Sequence, residues 1–429
     1  MKIWASGDVK CQRFLDRVER RFGEVLPSAV EDRVRRVVEA VRRRGDRALL
    51  SYVRRLDLAG LAVGEVRLRG NAGEPEHVDE EFVRAVELAL ANLRAFHEPQ
   101  VPKGYAIEQE GNDLSMRVRP LDSLGIYVAG RATASLSSLL MAVVPARLAG
   151  VRRIAVATPP RNFVASAELR YLLDRLDLHE VYLMGGPHAV AALAYGTESV
   201  APVDKITGPG GRWMTAAKRA VAGAVGVDLV SGPPELVVVA DAHAEPAIVA
   251  ADLLAQAEND ADALTVLVTT SRSLAEKVGR ALAARVRSLP GDAPARVALR
   301  RWGALVTVGD LEEAVAVANR IAPEHVELLV EDPRRWLDGI ERAGAVYLGP
   351  WSATALADFV VGSSNLLPSA GAARFASPLG VWDFVTRTAV VRVAPHRYPV
   401  LAKAARAVAD VEGLPLHGEA LAAGSRGRV

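Results

Sequence analysis

An acid and an imidazole, Glu324 and His325, stand side by side in Ile321-Ala-Pro-Glu-His-Val-Glu-Leu-Leu-Val330, at the mouth of an apolar run. Histidine titrates near neutrality and a neighbouring carboxylate can tune it or activate water, so such a pair can handle two different protons in one reaction. Pro323 cannot continue the helical pattern from Asp310 to Arg320 and biases Ala322 away from the α region, so the chain must turn just before the pair. Loop ends beside rigid strands are frequent mounts for chemistry. A helix-to-strand corner with two solvated polar residues fits the same segment equally well, because adjacency in sequence does not establish a shared site.

Other polar groups are weaker signals taken singly. In Asp252-Leu-Leu-Ala-Gln-Ala-Glu-Asn-Asp260, the spacing puts Gln256, Asn259 and Asp260 on one helical face, as in a metal-binding face or a capped helix end. Asp358 precedes the apolar pair Phe359-Val360, and His417 lies five residues beyond Glu412 near the C terminus. A metal would give these residues a common purpose, since Asp oxygen, Gln oxygen and His nitrogen can share a zinc ion. Gly185-Gly186 and Gly208-Pro-Gly-Gly211 each precede a helical run whose first amides can receive a phosphate. Neither is a G-x-G-x-x-G fingerprint, and tight strand-to-helix turns explain both sets of glycines as well.

The elements that must position these groups follow from length and pattern. At 429 residues, half of them hydrophobic, the chain can bury a large core and divide into two or more domains. A net charge of +2 without a basic block gives no reason to expect nucleic acid or an anionic membrane as partner, which leaves small molecules. The first residues lack the apolar core of a signal peptide and charges interrupt every long apolar segment, so a soluble cytoplasmic protein is expected. Cys11 is the sole cysteine, which excludes an intramolecular disulfide, a thiolate zinc cluster and a Cys-x-x-Cys redox motif, and argues against thiol-based aldehyde oxidation.

Helical periodicity dominates the first hundred residues, for example in Glu31–Arg42 and Glu81–Asn92. From Leu124 onward, short apolar runs alternate with helical stretches: Leu124–Val128, Ile154–Ala157, Val181–Met184, Glu235–Ala240, Leu264–Val268, Ala304–Val308, Val326–Val330 and Ala345–Leu348. Such alternation predicts an α/β fold with parallel-rich sheets covered by helices, in two groups separated near Leu229-Val-Ser-Gly-Pro-Pro-Glu235. After Gly380 the alternation stops, and a helical tail is expected from Tyr398 to Val411.

Taken in order, the motifs Gly125-Ile-Tyr-Val with Ser137-Ser-Leu-Leu-Met141, Ala191-Ala-Leu-Ala-Tyr-Gly-Thr197, Val203-Asp-Lys-Ile-Thr-Gly-Pro-Gly210, Asp252-Leu-Leu-Ala-Gln-Ala-Glu258, Ala322-Pro-Glu-His325, Asn365-Leu-Leu-Pro368 and Glu412-Gly-Leu-Pro-Leu-His417 resemble the histidinol dehydrogenase family from about Ser28 to His417. The resemblance implies two Rossmann-like lobes plus helical N-terminal and C-terminal extensions. It divides the chain into an N-terminal extension (1–27), a catalytic and metal lobe (28–124 with 235–379), a cofactor-side lobe (125–234) and a C-terminal tail (380–429) that reaches the partner of a homodimer. The implied activity is the NAD-dependent, four-electron oxidation of L-histidinol to L-histidine through the aldehyde, the last steps of histidine biosynthesis, with one bound zinc per subunit. His325 resembles the base for the alcohol proton and Glu324 the activator of water. Gln256, Asp358 and His417 match zinc ligands that also lie against the substrate, as does the position of Asn259. Glu412 matches a substrate contact, and Tyr127, His188 and Gly211 fall at cofactor contacts.

Several positions depart from the family pattern. A zinc-ligand histidine is replaced by Asn259, another histidine by Asn365, and a substrate-contacting serine by Pro234. On the cofactor side a glutamine becomes His188, an asparagine becomes Gly211, and Pro-Gly-Gly becomes Ala129-Gly130-Arg131. Three functions are therefore open to the sequence: histidinol oxidation, oxidation of a different small alcohol with a weakened or absent zinc site, and a non-catalytic binding protein that kept the fold.

Overall fold

A computed structural model describes residues 1–21, 26–57, 63–68, 78–129, 135–228 and 232–426. The chain forms two compact units, one of residues 1–100 with 122–384 and the other of residues 101–121 with 385–429. The sequence positions Gly130, Arg131 and 229–231, singled out above, lie outside the described residues.

Two parallel sheets make up the first unit. Strands β4 (Ser123–Tyr127), β5 (Arg153–Thr158), β6 (Glu180–Leu183), β7 (Lys205–Thr207) and β8 (Gly226–Val227) form a five-stranded sheet in the order β6-β5-β4-β7-β8. The second sheet has six strands, β1 (Ile3–Ala5), β9 (Glu235–Ala240), β10 (Leu264–Thr269), β11 (Gly303–Thr307), β12 (His325–Leu329) and β13 (Ala345–Leu348), in the order β1-β11-β10-β9-β12-β13. Every pairing in both sheets is parallel. The predicted strands coincide with these to within a residue or two at each end.

Continuous apolar runs form these strands because helices cover both faces of each sheet. Strand β9 shows the consequence: Val237 and Val239 pack into the core on one face, while Leu236, Val238 and Ala240 pack on the other. Full burial of each Val or Leu contributes about 1.5–3 kcal/mol before chain entropy is counted. The five-stranded sheet is packed by helices Ser28–Leu56, Gly186–Tyr195 and Arg212–Val221, through Val34, Val41, Leu193 and Val221. Cys11, on helix Val9–Arg20, is wholly buried beside Val306 and Ala314, and burial pushes its thiol up from the usual range. That environment suits a structural thiol and not a nucleophile.

The second unit is built differently. Strands β2 (Tyr105–Gln109), β3 (Asn112–Pro120) and β14 (Val385–Val393) make an antiparallel sheet, followed by helices Tyr398–Val411 and Pro415–Arg426. Helix Tyr398–Val411 spans the residues expected of it, whereas β14 was not anticipated, because its partner β3 lies more than 260 positions away. No helix among the described residues is long and apolar enough to cross a membrane.

Candidate active site

Glu324 and His325 are set in place by a sharp chain reversal. Helix Leu311–Ile321 is capped at its start by Asp310, whose carboxylate accepts from the Glu313 amide at 2.8 Å. It ends at Ala322, which turns the chain in the left-handed region (φ 48°, ψ 58°), where the sequence had suggested extended backbone before Pro323. The carbonyls of Pro323 and Glu324 then accept from Gly344 and Ala345 at 3.1 and 2.9 Å. Gly344 allows this approach, since a Cβ there would stand 2.6 Å from the Glu324 carbonyl oxygen. His325 opens β12, flanked by β9 and β13.

The His325 side chain is buried, and that of Glu324 is 12% exposed where it meets the cleft. The His325 Nδ1 lies 3.0 Å from the Tyr347 hydroxyl, and its Nε2 lies 3.8 Å from Glu324 Oε2, a near approach and not a hydrogen bond. Burial pulls the imidazole down to about 3, so it is neutral throughout the physiological range and free to accept a proton. Glu324 is pushed the other way, well above the usual carboxyl range, first by burial, then by Glu235 and Asp358. Opposing this, its Oε2 accepts from the Glu235 amide at 3.2 Å. The pair therefore enters the resting site as a neutral base beside a carboxyl that gives up its proton less readily than usual.

A cleft of about 1410 Å³ opens onto the pair and is lined from both sheets of this unit. Glu324, His325, Gln256, Asn259 and Asp358 line it together with Tyr127 and Gly211. The two sheets present opposite edges. Glu324 and Glu235 stand at the N-terminal edge of the six-stranded sheet, while Tyr127 and Gly208 stand at the C-terminal edge of the five-stranded one. There, strand order reverses at β4 between β5 and β7, the crevice in which open α/β sheets usually take ligands. Gly208 has φ +126°, and the Tyr127 carbonyl lies where its Cβ would be. Gly211 caps helix Arg212–Val221 without a side-chain cap, and a Cβ there would meet nothing within 4 Å. The first amides of that helix are thus open to a ligand phosphate.

The other glycine turn is occupied. Asp57 Oδ2 accepts from the Gly185 amide at 2.9 Å and lies 2.8 Å from His188 Nε2. The Gly186 amide donates to the Tyr127 hydroxyl at 3.1 Å. His188 is buried, stacked on Tyr52 with ring centroids 5.9 Å apart, and is not among the residues lining the cleft. A carboxylate of the chain's own thus sits where the sequence had suggested a phosphate. Glu412 and His417 belong to the second unit, where Glu412 ends helix Tyr398–Val411, His417 lies in helix Pro415–Arg426, and both are exposed.

Asn365 and Pro234 also line the cleft. The Asn365 amide nitrogen donates to Ser137 Oγ at 3.1 Å and to the Asp358 carbonyl at 3.2 Å, and its oxygen accepts from Ser138 Oγ at 3.3 Å. Its side chain is engaged in tying the Asp358 turn to the start of helix Leu136–Ala149, which leaves little capacity for a ligand.

A zinc ion was expected on Gln256, Asn259, Asp358 and His417. Gln256 is buried, Asn259 is exposed, and burial pushes Asp358 up to about 6. This lobe thus offers two neutral amides and a carboxyl that gives up its proton reluctantly, whereas zinc selects imidazole, thiolate and ionised carboxylate. Among the described residues no three His, Cys, Asp or Glu side chains cluster closely enough to hold a metal. Without the imidazole of His417, these three donors of one subunit do not make a zinc site.

Three contributors were missed by the sequence reading. Tyr347 sits in an apolar strand and looked like core. Glu235 carried a signal, being a charged residue that opens an otherwise apolar buried run. Arg21, whose Nη2 stands 3.9 Å from Glu235 Oε1, gave none.

Comparison with known proteins places the chain in a family. The family model described as histidinol dehydrogenase matches residues 22–424. The chain is similar to a histidinol dehydrogenase of Thermus thermophilus, 42% identical over 421 residues that cover 98% of this chain and 99% of that protein. It is likewise similar to one of Rhodopseudomonas palustris, 42% identical over 394 residues, 90% of this chain and 91% of that one. The crystal structure of histidinol dehydrogenase from Elizabethkingia anophelis superposes with a TM-score of 0.89 at 29% identity, covering 99% of this chain and 97% of the other.

Proposed function

This chain belongs to the histidinol dehydrogenase family of oxidoreductases, and we propose that it oxidises L-histidinol to L-histidine through the aldehyde, with NAD as hydride acceptor. The observation that carries the proposal is the neutral, buried His325, braced by Tyr347 and facing a cleft that two different sheets line. The cleft exceeds the ~300–1,000 Å³ of a single-ligand pocket, as an alcohol and a dinucleotide together require.

In the first oxidation His325 takes the hydroxyl proton of the alcohol as the carbon loses hydride. In the tautomer whose Nδ1–H donates to the Tyr347 hydroxyl oxygen, Nε2 carries the free lone pair, and burial keeps the ring unprotonated until the substrate supplies its proton. Water then adds to the aldehyde, activated by Glu324, and the hydrate loses the second hydride to leave the acid. Because burial, Glu235 and Asp358 hold the Glu324 proton in place, this second half gains rate as pH rises through the raised range of that carboxyl. NAD, when bound, supplies the hydride acceptor for both oxidations; Tyr127, Gly208, Gly211 and the amides at the start of helix Arg212–Val221 are the groups that would hold it. His188 would act indirectly, by fixing Asp57 against Gly185. No step is routed through zinc, because one subunit alone supplies two amides and one carboxyl.

Glu412 and His417 would complete the site of a second copy in a homodimer. Support comes from the apolar side chains that the second unit exposes, Val400, Val408, Val411 and Leu416. Oxidation of a different small alcohol is favoured by one specific observation: the Asn365 amide is spent on Ser137, Ser138 and Asp358, and Pro234 has no hydroxyl to offer.

NADH formation on histidinol and on a panel of small alcohols, with and without added zinc, tests the proposal. Turnover on histidinol that His325→Asn reduces by two orders of magnitude or more supports it. Parental turnover by that variant refutes the role of the base, and turnover confined to another alcohol replaces the substrate.

A further inference from the structure

Glu235 and Glu324 are register neighbours on adjacent parallel strands, since Leu236 pairs with His325 one residue further on. Glu235 is fully buried and Glu324 largely so, and each lies by the other's main chain: Glu235 N–H donates to Glu324 Oε2, while the backbone of Glu324 acts on the Glu235 carboxyl. The far side of Glu235 is built with equal care. Its Oε2 accepts from the Ala370 amide at 3.0 Å, and Oε1 stands 3.9 Å from Arg21 Nη2. Arg21 is itself fixed, donating to the Asp262 carbonyl at 3.0 Å and lying over the Trp302 ring at 4.4 Å, with Arg17 over the same ring at 4.3 Å.

We propose that Glu235 is a positioning residue for the chemistry of Glu324: its carboxyl, clamped between Arg21 and the Ala370 amide, favours the protonated form of Glu324 and so sets the pH above which Glu324 has released that proton to solvent and can take one from water. The inference deepens the function proposed above and rests on it. Two carboxyls this close inside a protein cannot both ionise readily, so with one cation behind them the pair retains a proton. Arg21 stands beside Glu235 and is not a partner of Glu324, so the geometry assigns the negative charge to the former and the proton to the latter. Burial carries Glu235 to about 7, with Arg21 pulling it back, and it raises Glu324 as well, which has no such cation beside it. The other charged or titratable groups facing the pair are Asp358 and His325 at the cleft, Tyr347 on β13, and Asp260 and Asp262 around Arg21.

The test compares the parent with Glu235→Gln, Glu235→Asp and Glu324→Gln. In infrared difference spectra of the whole protein, the parent at neutral pH should show a protonated-carboxyl band that Glu324→Gln lacks. Absence of that band overturns the proposal even if no Glu235 variant folds. In Glu235→Gln the band should titrate at lower pH by about one unit or more, and the acid limb of kcat/KM for aldehyde oxidation should follow it, a roughly tenfold gain on the acid side. Glu235→Asp keeps the charge and should restore the parental midpoint. A uniform loss of rate in both variants with an unmoved midpoint reduces Glu235 to a packing role and overturns the inference. Because the infrared titration needs no substrate, lack of turnover on histidinol refutes the proposed reaction without touching this result.

Discussion

Replacing Tyr347 by Phe removes one oxygen from a buried position and leaves the shape of the strand intact. The hydroxyl lies 3.0 Å from His325 Nδ1, and both residues are at least nine-tenths buried by neighbouring atoms. The ring stays neutral after the loss, because burial holds the imidazole near a pKa of about 3, so the change falls on the unpartnered Nδ1 and on which nitrogen carries the proton. A buried donor left without an acceptor costs about 1–3 kcal/mol. If that cost falls on the orientation of Nε2 in the transition state, kcat drops by about 5–150-fold, since 1.36 kcal/mol is tenfold in rate. KM should move by less than about threefold, because the hydroxyl supports the base and not the substrate. Steady-state NADH formation together with a thermal melt separates the alternatives. A kcat within twofold of the parent and an unchanged Tm would refute the claim that Tyr347 fixes the tautomer of His325.

Asn259→His should tighten zinc binding by at least tenfold in a calorimetric titration, if imidazole is what the site lacks; unchanged affinity would mean that Gln256 and Asp358 are not arranged around a common point. Glu235→Gln should flatten the pH dependence of stability. The folded-state pKa of Glu235, about 7, lies above the ordinary 4.5, so its contribution is fully present below about 4.5 and lost as pH rises through 7; on the order of 3 kcal/mol of that slope should vanish from denaturant titrations at pH 5 and pH 8. His325 works in the opposite sense, with stability lost as pH falls from about 6.5 toward 3, and His325→Asn should make the protein more tolerant of mild acid by chemical denaturation. Gly208→Ala should cost about 1–3 kcal/mol in stability and weaken NAD binding measured by fluorescence, because φ +126° and the Tyr127 carbonyl leave no room for a Cβ.

The strands were legible where burial on both faces made them continuous apolar runs, as in Glu235–Ala240 and Leu264–Thr269. Strands β1, β7 and β8 were not, since two or three residues give no periodicity, and β14 depends on a partner remote in sequence. In the site, the reactive types were visible, but their support was not. Tyr347 reads as core, and Asp57 as a helix end, until the fold brings each against a histidine. Asn365 shows the limit most clearly. Its departure from the family pattern was plain, yet only the structure reveals that its amide holds two segments together.

Strand β1 forms the edge of the six-stranded sheet by pairing Ile3–Ala5 with Leu305–Thr307, while the five-stranded sheet is drawn from the continuous segment 123–227. On a ribosome the two lobes therefore mature in a fixed sequence. The five-stranded lobe can close once its own residues have emerged, but β1, with Cys11 and Arg21 close behind it, must wait for some three hundred residues to be made before its partner exists. Of the two parallel sheets, the one that carries Glu324 is thus sealed second, and the sole thiol of the chain, hidden in the finished protein, stays open to reaction on the nascent one until its partner strand is made.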